Sequence, residues 1–435
     1  MCVFADAAIE PSEELISGLI FGILPTVTLY STNQRYMMPP SRSKLSHPTW
    51  IGIALILYAF STIGIAEGGL GVLLPSILAT YNLTPATITL LFLSQMSGYV
   101  VSALASSLLS NWIGMARMLL LASAIFTSAL LTYALTPHWS VMVVSGTLLG
   151  LGIGLIDAGV NTYVANQQPN ANLMGTLHAF YGIGALLGPG IATTLLALGL
   201  GWRLIYIVFA TLVGLTVVGM LWAVVYKYKP MTKRVTVSGT DAGVSLRVAL
   251  QTPTVLVAGF LLLVCVGTEA SLGNWAYSVQ SVSRGTPKLL AGYSVSAYWL
   301  GLTLGRLGMG HVMKHLGAVH TINCSLALLM AAALSWWLLP GQLLSLPMLG
   351  FALAAIYPTI ILLLPQRIPA RIVPAAIGFV TSVASLGAAT IPTVVGWLAA
   401  RAGLAIIPAL IVPLAALIVM LHRWLVQHTA AKRSD

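Results

Sequence analysis

Charge is what this chain has least of. Only 7% of its 435 residues are Asp, Glu, Lys or Arg, and the acids number nine. A soluble domain carries roughly 25% charged residues, and so few cannot cover the surface of a water-soluble protein of this length. Cysteine is scarce as well. Cys2, Cys265 and Cys324 lie far apart and are odd in number, so neither a disulfide framework nor a zinc site is expected. No P-loop, His-Glu-x-x-His or Cys-x-x-Cys pattern occurs. ATP hydrolysis, metal catalysis and cofactor chemistry are therefore without support, and no nucleophile–base set points to an enzyme.

What fills the chain instead is apolar: 58% of residues are hydrophobic and the mean hydropathy is +0.94. A membrane helix needs about 20 such residues. Apolar runs of that length recur at 50–79, 86–110, 115–135, 139–165, 172–199 and 203–226, then at 252–280, 289–313, 319–338, 343–365, 371–399 and 404–426. The expectation is an all-α membrane protein with twelve transmembrane helices. Its domains read as an N-terminal extension 1–48, a six-helix half 49–226, a linker 227–251, a second six-helix half 252–426 and a tail 427–435. The extension fits least well. Its apolar stretch at 15–30 follows Asp6, Glu10, Glu13 and Glu14 rather than the positive charge of a secretory signal. It reads as an extra span, an interfacial helix, or translation from upstream of a true start at Met37 or Met38.

The formal net charge of +11 comes mostly from loop Lys and Arg, so a nucleic-acid partner is not implied. With the segment before residue 50 inside, 16 of the 20 basic residues fall on the inner side, five of them in the linker. Such asymmetry places both ends of the twelve-helix core in the cytoplasm. The expected partners are the lipid bilayer and a small solute, and the expected state is a monomer in the cytoplasmic membrane.

The two halves repeat. Gly98 and Gly301, Gly114 and Gly317, Gly175 and Gly378, Gly184 and Gly387, and Pro189 and Pro392 are each separated by 203 residues. Glu67-Gly-Gly-Leu-Gly71 matches Glu269-Ala-Ser-Leu-Gly273 at an offset of 202. Paired pseudo-symmetric halves usually mean alternating access, with the solute site between them. The run Gly146-Thr-Leu-Leu-Gly150-Leu-Gly152-Ile-Gly154 lies inside a span with no preceding strand. It is a surface for close helix packing rather than a dinucleotide loop.

Only three acids, Glu67, Asp157 and Glu269, fall inside spans. An Asp at the centre of a membrane helix is unfavourable by roughly 2.5–3.5 kcal/mol, so these three are the functional candidates. No Lys or Arg lies near the middle of a predicted span, and no ion-pair partner is expected for them. An unpaired carboxyl removed from water favours its protonated form, which makes Asp157 the first candidate proton carrier. Asn161 lies one turn along the same face, and His178 in the next span can relay a proton or touch the ligand. Glu67 and Glu269 face a central cavity or tie helices together. Trp275, Tyr277, Tyr298 and Trp299 offer an aromatic surface or interface anchors. Asn274, Gln95, Tyr99 and Tyr181 are candidate hydroxyl-binding groups.

Twelve spans, a six-plus-six repeat and a central loop resemble the major facilitator superfamily. Its signature after the second span is similar to Ser107-Leu-Leu-Ser-Asn111-Trp-Ile-Gly114-Met-Ala-Arg117, with Asn111 for the usual Asp. The second-half copy, from Gly305-Arg306 through Lys314 to Gly317, keeps more of it, and Gly184-Ala-Leu-Leu-Gly188-Pro189 looks like the Gly-Pro motif stressed in antiporters. Within the superfamily the chain is most similar to fucose/glucose-type sugar:proton symporters. Three marks carry this: Gly152-Ile-Gly-Leu-Ile-Asp157-Ala-Gly-Val-Asn161, Tyr357-Pro-Thr-Ile360, and Gly267-Thr-Glu269 followed by Trp275. The resemblance implies proton-coupled uptake of a monosaccharide, with Asp157 as carrier and Tyr357 at the solute; H⁺ is the expected coupling ion and Na⁺ the alternative. The alternative is proton-driven efflux of amphipathic compounds. One departure stands out: the first-span Asp expected before Leu73-Leu74-Pro75 falls near Gly71, and Glu67 one turn earlier is its nearest substitute.

Overall fold

The computed structural model describes residues 49–166, 171–232 and 247–430. The extension 1–48, with its apolar stretch and alternative starts, lies outside the described residues, as do 233–246 of the linker and 431–435 of the tail. Among the described residues there are helices and no strands. That is what a bilayer demands, because a helix satisfies its own backbone hydrogen bonds where no water is present.

Twelve long helices follow one another among the described residues. The first six are α1 (Thr49–Tyr81), α2 (Leu90–Ile113), α3 (Met115–Leu135), α4 (Trp139–Asn166), α5 (Ala171–Ala197) and α6 (Trp202–Val225). The second six are α7 (Pro253–Ser278), α8 (Lys288–Leu316), α9 (Ala318–Leu338), α10 (Ser345–Ala354, continued by Ile356–Leu363), α11 (Val373–Ala402) and α12 (Ile407–Ala430). Ten are long and apolar enough to cross a membrane on their own, and α2 with its lead-in turn from Pro85 makes an eleventh, bent by 48°. The remaining one, α8, carries Lys288, Arg306 and Lys314. Large apolar side chains such as Leu104, Leu108, Val144, Leu215, Val218 and Met420 point outward, where lipid replaces water.

The repeat in the sequence reappears as a repeat in packing. Helix α1 packs on α5 and α7 on α11; α2 packs on α4 and α8 on α10; α3 packs on α6 and α9 on α12. The paired glycines mark the closest of these approaches. A Cβ at Gly184 would strike the Ser61 carbonyl oxygen of α1, and one at Gly387 the Leu263 carbonyl oxygen of α7. Gly98 and Gly301 likewise lie against backbone of α4 and α10. Gly114 and Gly317 have a different reason: both open tight turns with φ of 86° and 76°, a region that disfavours any Cβ, and neither has an atom within 4 Å of where one would sit.

Three helix pairs join the halves: α1 with α7, α2 with α11, and α5 with α8. They meet toward one end. Gly71 lies on the Gly273 carbonyl oxygen, Gly292 on Thr193, and a Cβ at Gly396 would come within 2.8 Å of the Pro85 carbonyl oxygen. Toward the linker end Gly175, Gly308, Gly310 and Gly378 have nothing within 4 Å. Among the described residues the halves meet at the face of the 82–84 and 279–287 turns.

Candidate functional site

The acid of α4 is held by neutral donors. The Tyr99 hydroxyl, on α2, donates a hydrogen bond to Asp157 Oδ2. One turn along α4, Asn161 Nδ2 donates to Asp157 Oδ1 at 2.7 Å and to the Asp157 backbone carbonyl at 2.9 Å. The i, i+4 spacing expected to place Asn161 on the face of Asp157 is what makes this possible. Asp157, Asn161, Tyr99 and Gln95 are all half-buried.

Glu67 of α1 accepts a hydrogen bond from the Tyr181 hydroxyl of α5 at 2.8 Å. Protein surrounds this carboxyl, yet it is open to solvent, so it lines a water-reachable cavity rather than a packed core. Its place one turn before Gly71 has a physical reason. At Gly71 the α1 backbone lies on α7, with Asn274 Cα only 3.1 Å from where a Cβ would be, and an acid there would not fit. His178, on α5, is exposed and sets its ring edge against Phe60 at 5.5 Å between centroids. Phe60 in turn packs on Tyr181 at 5.6 Å.

The second half departs from expectation. No mid-span cation was foreseen, yet Arg306 Nη2 reaches Glu269 Oε1 at 3.2 Å and Oε2 at 3.3 Å. The two side chains are 29% and 14% exposed. By its motif Arg306 belongs to the conformational signature at the end of the eighth span. Helix α8 runs on to Leu316, so Arg306 stands roughly three turns inside it. From there its long side chain crosses to α7. The other motif residues stay at the turns: Asn111, Arg117 and Lys314 are exposed there. Gly305 packs on Ala354 and Phe351 of α10. Gly188 lies against the Ile65 carbonyl of α1 beside Pro189, which is held inside α5.

The aromatic candidates divide. Trp275 is fully buried; its indole N–H donates to the Pro392 carbonyl at 3.1 Å and its ring meets Phe92 edge-on at 6.2 Å. Tyr298 is also buried and donates its hydroxyl to the Glu269 backbone carbonyl at 3.0 Å. Asn274 is half-buried at the α1–α7 contact. Tyr357 is half-buried on α10, within electrostatic reach of both Asp157 and Arg306. The same reach links Glu67 to Asp157 and Glu269, and Arg306 to His178 and Tyr181. Three acids and one guanidinium therefore lie within electrostatic reach of one another between the halves. Phe60, and Arg306 as a cavity group, escaped the sequence reading. The signal for Arg306 was its position in the polar helix of the second half.

Two repeated helical bundles with three acids within their membrane helices are the architecture of a membrane transporter. The chain belongs to the Major Facilitator Superfamily, whose model matches residues 50–371. It is similar to the glucose/mannose transporter GlcP of Bacillus subtilis, with 28% identity over 356 residues, 80% of this chain and 88% of that one. It is also similar to Bypass of stop codon protein 6 of Saccharomyces cerevisiae, with 25% identity over 388 residues, 81% and 78% of the two chains. Among solved structures, a D-xylose-proton symporter shares the fold with a TM-score of 0.64 at 14% identity, covering 85% of this chain and 97% of that one.

Proposed function

We infer that this chain takes up a small polar solute, a monosaccharide, together with a proton, by alternating access across the cytoplasmic membrane, with the linker face inward. The observation that carries the reading is Asp157 in the cavity, hydrogen-bonded by Tyr99 and Asn161 and by no cation among the described residues. Those partners suit both protonation states. The ionised carboxylate accepts from both, and when it is protonated Tyr99 can turn its hydroxyl and accept instead. A permanent cation would hold the acid ionised and remove it from a proton cycle. His178, solvent-open on the linker side, is placed to pass the proton to water, and Glu67, with its neutral Tyr181 partner, is the second acid of that half.

The halves 49–226 and 252–426 rock about the contacts near Gly71, Gly292 and Gly396, exposing the cavity to one side at a time. The glucose/mannose relative supports a hexose as the solute. In weakly buffered proteoliposomes, external D-glucose or D-mannose should acidify the lumen as the sugar enters. Sugar entry with an unchanged internal pH would contradict proton coupling, and the absence of entry for either would contradict the solute class.

A further inference from the structure

The two halves share one sequence repeat, yet their charges differ. Glu67 and Glu269 occupy matching places, but among the described residues only Glu269 has a cation. The residue 203 positions before Arg306 is Ala103, and those 203 positions after Asp157 and Asn161 are Ile360 and Leu364. The first half holds two acids with neutral partners, while the second holds one acid already neutralised. Glu269 lies against a guanidinium at 3.2 Å. It remains a strong acceptor beside a strong donor.

The guanidinium is only partly used. Nη2 alone contacts Glu269, and among the described residues Nη1 and Nε have no hydrogen-bond partner. Arginine presents five N–H donors in a planar fork, so the greater part of that fork has no protein acceptor among the described residues. Glu269 is steadied from behind, because Tyr298 holds its backbone carbonyl, and its two carboxylate oxygens retain lone pairs. A fixed donor fork next to a fixed acceptor matches two adjacent hydroxyls on one face of a sugar. One hydroxyl oxygen accepts from Arg306 while its neighbour donates to Glu269.

We propose that the Arg306–Glu269 pair is the hydroxyl-recognition clamp of the solute site, binding a vicinal diol of a neutral monosaccharide, while Asp157 and Glu67 of the first half handle the proton. This rests on the reading of the chain as a monosaccharide transporter and adds which residues read the sugar. The pair is charge-neutral as a unit, so it favours a neutral sugar over a sugar acid, and it forms without help from the proton carrier.

The test uses counterflow, in which labelled D-glucose enters vesicles preloaded with unlabelled D-glucose and no proton gradient is needed. The neutral double variant Arg306→Met/Glu269→Gln removes both halves of the clamp without stranding a charge. Arg306→Lys keeps the charge and loses the fork. A monodisperse elution profile, compared with wild type, screens both for folding. The double variant should raise the counterflow KM by roughly 10- to 100-fold, as expected when hydrogen bonds to charged groups are lost. Arg306→Lys should fall between.

Deoxyglucoses then identify the contact. One adjacent pair of missing hydroxyls should weaken competition in the wild type by tenfold or more, and should make no difference in the double variant. A double variant with a wild-type KM, or one that keeps every deoxy penalty, overturns the clamp while leaving monosaccharide transport standing. Wild-type vesicles that exchange no neutral sugar overturn both.

Discussion

Asp157→Asn is expected to stop accumulating solute altogether and yet to go on exchanging it. Asparagine has the size of a protonated aspartate and can still meet Tyr99 and Asn161 (the residues that hold Asp157 now), so the cavity should keep its shape. What it cannot do is carry a proton. A pH gradient of about one unit is worth 1.36 kcal/mol per proton, enough for tenfold accumulation if one proton accompanies each solute. Wild-type vesicles with an acidic exterior should approach that ratio with labelled D-glucose. Asp157→Asn vesicles should level off at a ratio of about 1, with counterflow within about threefold of wild type. A variant that still concentrates glucose would remove Asp157 from the coupling path and direct attention to Glu67, the other acid without a cation.

The second large effect is expected at Gly71. Its α1 backbone lies directly on the Gly273 carbonyl of α7, with Asn274 Cα 3.1 Å from an added Cβ. Backbone cannot retreat as a flexible side chain can, so Gly71→Val should prevent the two halves from meeting at the face of the 82–84 turn. Small residues at a helix crossing set how closely the backbones come together. The protein should then remain open on that face, and net uptake should fall to a few per cent of wild type while solute still binds. A single cysteine at Ser76, one turn beyond the contact, should react with a membrane-impermeant maleimide far faster in the Gly71→Val background. Equal labelling rates would mean that this contact does not govern closure.

Much of the architecture is legible in the sequence because a bilayer leaves few choices. Uninterrupted apolar runs must be helices there, and the constant offset between paired glycines already records that the same helix pairs meet twice. Gly98, Gly184 and their counterparts Gly301 and Gly387 are readable for that reason: each has partner backbone where its side chain would be. The three acids within the spans are legible on energetic grounds, since a carboxyl inside an apolar helix is costly.

Arg306 was not legible in the same way. Its place along the chain suggested a charge near a helix end, and only the path of α8 shows its side chain reaching into the cavity to Glu269. Trp275 and Tyr298 illustrate a second limit. A buried aromatic with a polar atom suits either a ligand or a neighbouring carbonyl, and spacing does not distinguish them. Here the Pro392 carbonyl takes the indole N–H and the Glu269 carbonyl takes the phenol. The shift of the first-span acid from the place of Gly71 to Glu67 was visible in the sequence, but its cause, the approach of α1 to α7, is a fact of packing.

The central claim is that solute and proton move together through one cavity. The most direct measurement is the charge that accompanies solute, recorded as current on a supported membrane of proteoliposomes while labelled D-glucose uptake is counted in the same preparation. A neutral sugar moving with the single proton of Asp157 should carry about one positive charge per molecule, with the current abolished in Asp157→Asn. Glucose entering the wild type with no accompanying charge would contradict the account.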